Sequence, residues 1–158
     1  MAKAEKAKKA VGIVVAGLSL LGVVLGGTAL IKQVNSDKTK EVSATWGYEV
    51  GLLDEETGRD KTGGTAWRTK NFVSVDGLKV DVDEEDASIS YSVYFYDEDK
   101  AFLSKSDAMT VDYDAEADET VPADAEYVRI VFTHTNDTDI SSSDIRAYTD
   151  LYTVSYTK

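Results

Sequence analysis

The chain has 158 residues, a formal net charge of −12 and no cysteine. A disulfide framework, a thiolate metal site, a thiol nucleophile and a cysteine-linked lipid are therefore excluded. Residues 1–32 carry five lysines against one glutamate, a net of +4, while the rest carries 12 basic and 28 acidic residues, a net of −16. Nucleic acid and anionic surfaces repel so acidic a domain, which leaves basic or neutral partners and divalent cations.

In chain order, the first element is Ala10 to Ile31, AVGIVVAGLSLLGVVLGGTALI, with no charge and only Ser19 and Thr28 as weakly polar groups. A helix of these residues would span about 33 Å, against a hydrocarbon core of about 30 Å. The segment has no polar face, so it is predicted to be a transmembrane helix acting as a signal anchor rather than a helix of a soluble core. It is longer than the apolar part of most signal peptides, although Gly27-Thr28-Ala29 offers small residues where cleavage would occur. Lys3, Lys6, Lys8 and Lys9 precede it, so residues 1–9 are predicted to be a basic cytoplasmic tail and the C-terminal part to lie outside the cytoplasm, on a single-pass protein of the cell membrane. Gly22 and Gly26 have the GxxxG spacing that lets two such helices approach closely, which points to helix–helix packing and a homo-oligomer.

Residues 32–44 are polar and without apolar period, a stalk. From residue 45 onward the period becomes two, as in strands with one buried face. Tyr48, Val50 and Leu52 alternate with Gly47, Glu49 and Gly51; Leu53 to Gly64 reads as a polar loop. Ala66 to Val75 reads as one irregular strand, Asp76-Gly77 as a hairpin turn, and Leu78, Val80 and Val82 as the next strand. The clearest strand is Ser88 to Tyr96, with Ile89, Tyr91, Val93 and Phe95 predicted inward and Ser90, Ser92, Tyr94 and Tyr96 on a wet face. Tyr127 to Thr133 repeats the pattern with Val128, Ile130 and Phe132, Asn136 to Asp144 reads as a loop, and Tyr152, Val154 and Tyr156 form the last strand. No amphipathic helix is predicted beyond residue 32. About eight short strands separated by turns imply an all-β fold over residues 45–158, an acidic antiparallel β-sandwich with a jelly roll as the first choice.

Three stretches carry a resemblance: Trp-Arg-Thr-Lys-x-Phe-Val-Ser (67–74), Tyr-Phe-Tyr-Asp-Glu-Asp-Lys-Ala-Phe-Leu-Ser (94–104) and Val-Pro-x-x-Ala-x-Tyr-Val-Arg-Ile-Val (121–131). They resemble small membrane-anchored proteins of phages and prophages of Gram-positive bacteria. They are also similar to jelly-roll modules of phage tail and receptor-binding proteins, many of the carbohydrate-binding type. The matching motifs are mainly strand and turn patterns, so the resemblance implies a fold more than a function, and no catalytic residues.

The chemistry-bearing residues point the same way. The single histidine, His134, lies beside two threonines and lacks a Gly-x-Ser-x-Gly elbow near any serine, so it is read as a surface residue and the chain as no enzyme. Asp112, Asp114, Glu116 and Asp118 alternate along one segment, and Asp81, Asp83, Glu84, Glu85 and Asp86 cluster in another; such loops would supply oxygens to a structural calcium ion, the one cofactor entertained. An EF-hand starting at Asp112 fails because Ala117 stands where that loop needs glycine. Trp46, Trp67, Tyr94, Tyr96 and Tyr127 are the aromatic candidates for stacking on a sugar ring. The expected function is a membrane-anchored, non-enzymatic binding or display module for a surface glycan or protein. The alternative is a structural subunit of a phage or surface assembly, or a phage protein modifying the host envelope.

Overall fold

The computed structural model describes residues 39–43, 47–83, 88–136 and 138–157. The apolar run 10–31 with Gly22 and Gly26, the basic tail, most of the stalk and Trp46 lie outside the described residues. Among the described residues twelve strands and one helix follow in order: β1 (Lys40–Glu41), β2 (Tyr48–Val50), β3 (Leu52–Leu53), β4 (Asp60–Lys61), β5 (Ala66–Thr69), β6 (Val73–Ser74), β7 (Lys79–Val82), β8 (Ile89–Tyr96), β9 (Phe102–Lys105), β10 (Tyr113–Asp114), β11 (Tyr127–His134), α1 (Ser142–Thr149) and β12 (Tyr152–Tyr156). One sheet has the order β1-β12-β7-β10, a larger one β2-β5-β11-β8-β9 with β6 also on β11, and β3–β4 form a small hairpin.

All the pairings are antiparallel, and four of them nest: β8–β9 lies within β7–β10, that within β5–β11, and that within β1–β12. The longest ladder is β8–β11, eight residue pairs from Tyr127 opposite Tyr96 to His134 opposite Ile89. The period of two sorts its side chains. Ile89, Tyr91, Val93 and Phe95 of β8 and Val128, Ile130 and Phe132 of β11 enter one core with Val80, Tyr113, Tyr152 and Val154 of the smaller sheet. The two sheets therefore share one apolar interior, the arrangement expected of a sandwich. Each fully buried residue of this kind contributes about 1.5–3 kcal/mol. Trp67 on β5 sits at its centre, with Phe132 and Tyr148 stacked on it at 5.1 Å each.

Four expectations are corrected here. The segment read as a loop, Asn136 to Asp144, runs into helix α1. Asp144 three residues after Ser141 accepts its backbone N–H at 2.8 Å and its hydroxyl at 2.5 Å, a capping arrangement that starts a helix. Ile145 and Tyr148, three apart, then face the core, a period too brief to stand out in the sequence. Ala66 to Val75 is two strands, β5 and β6, rather than one. The Asp76-Gly77 turn does not close a hairpin, because β6 and β7 belong to different sheets; Gly77, at φ +57°, carries the chain from one to the other. Lastly, the polar stretch after Leu53 contains strand β4, which returns on β3. Among the described residues no helix is long and apolar enough to cross a membrane.

Candidate functional site

The outer face of the larger sheet carries Tyr94 and Tyr96 from β8, Ala66 and Arg68 from β5, and Arg129 and Val131 from β11. The sequence predicts this face to be wet, and half of it is not. Tyr94 is 4 % exposed and Tyr96 2 %, grouped with Leu53, Ala66 and Val131 in a second apolar cluster. The cause is the β3–β4 hairpin, which folds back over the sheet. Tyr96 Oη donates to Gly58 O at 2.7 Å, and the Arg68 guanidinium donates to Leu52 O and Lys61 O. Ser90 and Ser92, earlier on the same face, stay half-exposed as predicted.

Four charged groups pin the hairpin. Arg68 bridges Glu49 at 2.9 Å and Asp60 at 3.3 Å, and Arg129 bridges Asp60 at 2.5 Å and Glu49 at 3.3 Å. The ring is closed and electrically neutral. Arg129 also donates to Thr69 O from two nitrogens, at 3.0 and 2.7 Å. Both guanidiniums are nearly buried. Burial of unpaired cations would be costly, so the hairpin carboxylate Asp60 is held to the sheet by charge.

Between the hairpin turn and the β8–β9 turn lies a groove of about 680 Å³, lined by residues 56–60, Phe72, Tyr96, residues 100–102 and Arg129. Its apolar surface is an aromatic set: Phe72 meets Tyr96 edge-on at 4.8 Å and Tyr127 at 6.3 Å, and Phe102 meets Tyr96 at 5.8 Å. Gly58, at φ +64°, lets the hairpin turn close against the Phe102 ring; a Cβ there would stand 2.6 Å from it. Lys100 lies on the opposite turn at φ +63°, a conformation unusual for a side-chain-bearing residue. Its ammonium lies 5.3 Å from the centre of the Phe72 ring and 5.7 Å from that of Tyr127. A second hollow, about 330 Å³, is lined by Leu52, Lys61, Ser90, Ser92 and Tyr94 among others.

The aromatic candidates thus divide. Tyr96 reaches the groove, and Tyr127 stands beside it through Phe72. Trp67 belongs to the opposite face and is fully buried in the core, Tyr94 lies under the hairpin, and Trp46 is outside the described residues. Phe72 and Phe102, which stand in the sequence as ordinary strand residues and were missed as site residues, line the groove; their signal was only that each stands next to a turn.

The acidic segment does not converge. Asp112 accepts from Val82 N at 2.8 Å, Asp114 pairs with Lys79 at 2.9 Å, and Asp118 accepts from Thr120 N at 2.8 Å and from Tyr113 Oη at 3.0 Å. These bonds hold the Asp114 and Asp118 carboxyls below the usual carboxylate range, through Lys79 and Thr120 respectively. Glu116 contributes its backbone N–H to Asp114. Among the described residues no three acidic or histidine side chains gather as metal ligands would.

His134 is buried rather than on the surface, edge-on to Tyr148 of α1. Its Nδ1 lies 3.4 Å from Asn136 N and its Nε2 3.4 Å from Ser88 Oγ. No protein-family model, curated protein or solved structure matches the chain.

Proposed function

We propose that the chain is a non-enzymatic, membrane-anchored binding module whose acidic domain faces outward and holds a short saccharide in the groove between the β3–β4 and β8–β9 turns. The groove carries this reading: partly exposed Phe72 and Phe102 give it apolar surface, and polar groups from both turns surround them. Sugars have one apolar face and a hydroxyl-rich rim, so aromatic floors with polar walls suit them. The volume of about 680 Å³ falls in the range of sites that enclose a small ligand.

The jelly-roll reading is supported by the nested pairs. A long antiparallel ribbon rolled into two sheets brings first strand to last, second to seventh, third to sixth and fourth to fifth, and β1–β12, β5–β11, β7–β10 and β8–β9 follow that rule. The anchor and orientation rest on the uncharged run 10–31 and the lysines before it.

The test is a glycan array probed with the full-length chain in a detergent that carries no sugar. Short saccharides bind, Phe72→Ala abolishes binding, and Val111→Ser, at an exposed position away from the groove, leaves it intact. Silence across the whole array removes the saccharide reading. A C-terminal tag that proteases cannot reach on intact cells removes the outward orientation.

A further inference from the structure

The chain beyond residue 32 carries a net of −16, and a groove drawn at random on its surface would be acidic. This one is not. Arg129 and Asp60 neutralise each other within the four-membered ionic ring. The remaining charged lining groups are Arg59, Lys100 and Glu56. Arg59 and Lys100 form no ion pair among the described residues, whereas Lys79 and Lys105 are each paired to a carboxylate. Counted over its lining residues, the groove holds three cations, Arg59, Lys100 and Arg129, against two carboxylates, Glu56 and Asp60, a net of +1 in an acidic domain.

Lys100 is also held in position. Its turn is tied by Lys100 N donating to Asp97 O at 3.0 Å and by Asp97 Oδ1 accepting from Asp99 N and Ala101 N at 2.9 and 2.8 Å. Glycine ordinarily fills such a left-handed position, since a Cβ there costs about 1–2 kcal/mol. A lysine instead carries its stem over the groove wall, where the faces of Phe72 and Tyr127 attract the ammonium. Asp97, Glu98 and Asp99 precede it on the same turn, yet among the described residues none forms an ion pair with its ammonium.

Resting on the saccharide reading, we propose that the groove selects sugars bearing a carboxylate, such as uronic acids. The carboxylate accepts hydrogen bonds from Lys100 Nζ and from the Arg59 guanidinium, while the ring lies against Phe72 and Phe102. Charge-assisted bonds of this kind are about twice as strong as neutral ones, and the surrounding negative field excludes acidic ligands that fail to reach the two cations.

The test uses an array of uronic-acid glycans printed beside their carboxyl-reduced counterparts, which differ only in carrying CH₂OH for COO⁻, and the full-length chain in sugar-free detergent. Acidic members bind about tenfold or more tightly than their reduced partners, the worth of one charge-assisted bond. Lys100→Gly, which suits the backbone better than lysine, lowers the preference, Arg59→Ala lowers it too, and the double variant brings it to within about twofold. Equal binding of acidic and reduced members, or a preference intact in the Lys100→Gly, Arg59→Ala double variant, overturns acid selection and leaves the saccharide reading standing. Binding of neither set overturns both.

Discussion

Arg129 and Asp60, 69 residues apart in the chain, meet at 2.5 Å and fasten a surface hairpin to the middle strand of the larger sheet. Asp60 is 62 % exposed and Arg129 only 6 %, so the two ends of the bond differ in what their loss costs. Removing Arg129 leaves Glu49 and Asp60 facing only Arg68 and empties a buried site. Arg129→Ala is expected to cost about 2–4 kcal/mol in urea unfolding, and Asp60→Asn about 1 kcal/mol, because Arg129 keeps Glu49 and Thr69 O. Equal losses for the two would show that the hairpin is not fastened from the sheet side.

Gly58 tests whether the hairpin turn shapes the groove. Its φ of +64° opposes a side chain, and so does the Phe102 ring, which a Cβ at this position would approach to 2.6 Å. Gly58→Ala is expected to lose about 1–3 kcal/mol of stability and to weaken glycan binding together with it. Unchanged melting with unchanged binding would separate this turn from the site.

Lys100→Gly is expected to be nearly neutral. Relief of about 1–2 kcal/mol of left-handed strain is offset by the entropy that glycine brings to the unfolded chain and by the loss of the two aromatic contacts, each about 0.5–1 kcal/mol. An unchanged melting temperature with weaker binding of acidic glycans is the signature of a residue kept for recognition; thermal unfolding and binding read on the same sample check it. A loss of stability would mark Lys100 as a structural residue.

Alkaline pH should unfold the domain through its tyrosines. Burial pushes the Tyr94 and Tyr96 phenols up to about 12 and raises Tyr48, Tyr91 and Tyr113 as well. An unfolded tyrosine ionises near pH 10, so above that the unfolded chain holds fewer protons than the folded one and stability falls as pH rises. The contribution is complete below about pH 10 and is lost toward about pH 12. Tyrosinate absorbance of the buried phenols is expected to rise together with the loss of the β-sheet circular dichroism. A single stage near pH 10 with the fold intact would contradict the buried placements.

Much of the sheet interior was legible in the residues alone. Ile89, Tyr91, Val93 and Phe95 on β8, and Val128, Ile130 and Phe132 on β11, lie inward as their spacing requires, because a strand turns successive side chains to opposite faces. The antiparallel pairing followed from short strands separated by turns. The capping pair Ser141 and Asp144 was also present in the sequence, and α1 was missed because two turns of helix are too few for an apolar period to show.

What the other face of β8 touches depends on a segment some forty residues earlier, and no local pattern encodes that. Alternation along each strand, the acidic balance and the uncharged N-terminal run are written in the order of the residues, since all three depend on near neighbours or on simple sums. Folding in three dimensions was needed to cover Tyr94 and Tyr96 with a polar hairpin, to stack Trp67 in the core, to disperse the carboxylates of 112–118 and to bring Arg59 and Lys100 to the rim of one groove. Those outcomes depend on which distant backbone and charge a folded chain brings together, and a long-range contact leaves no mark in the spacing of the residues that make it.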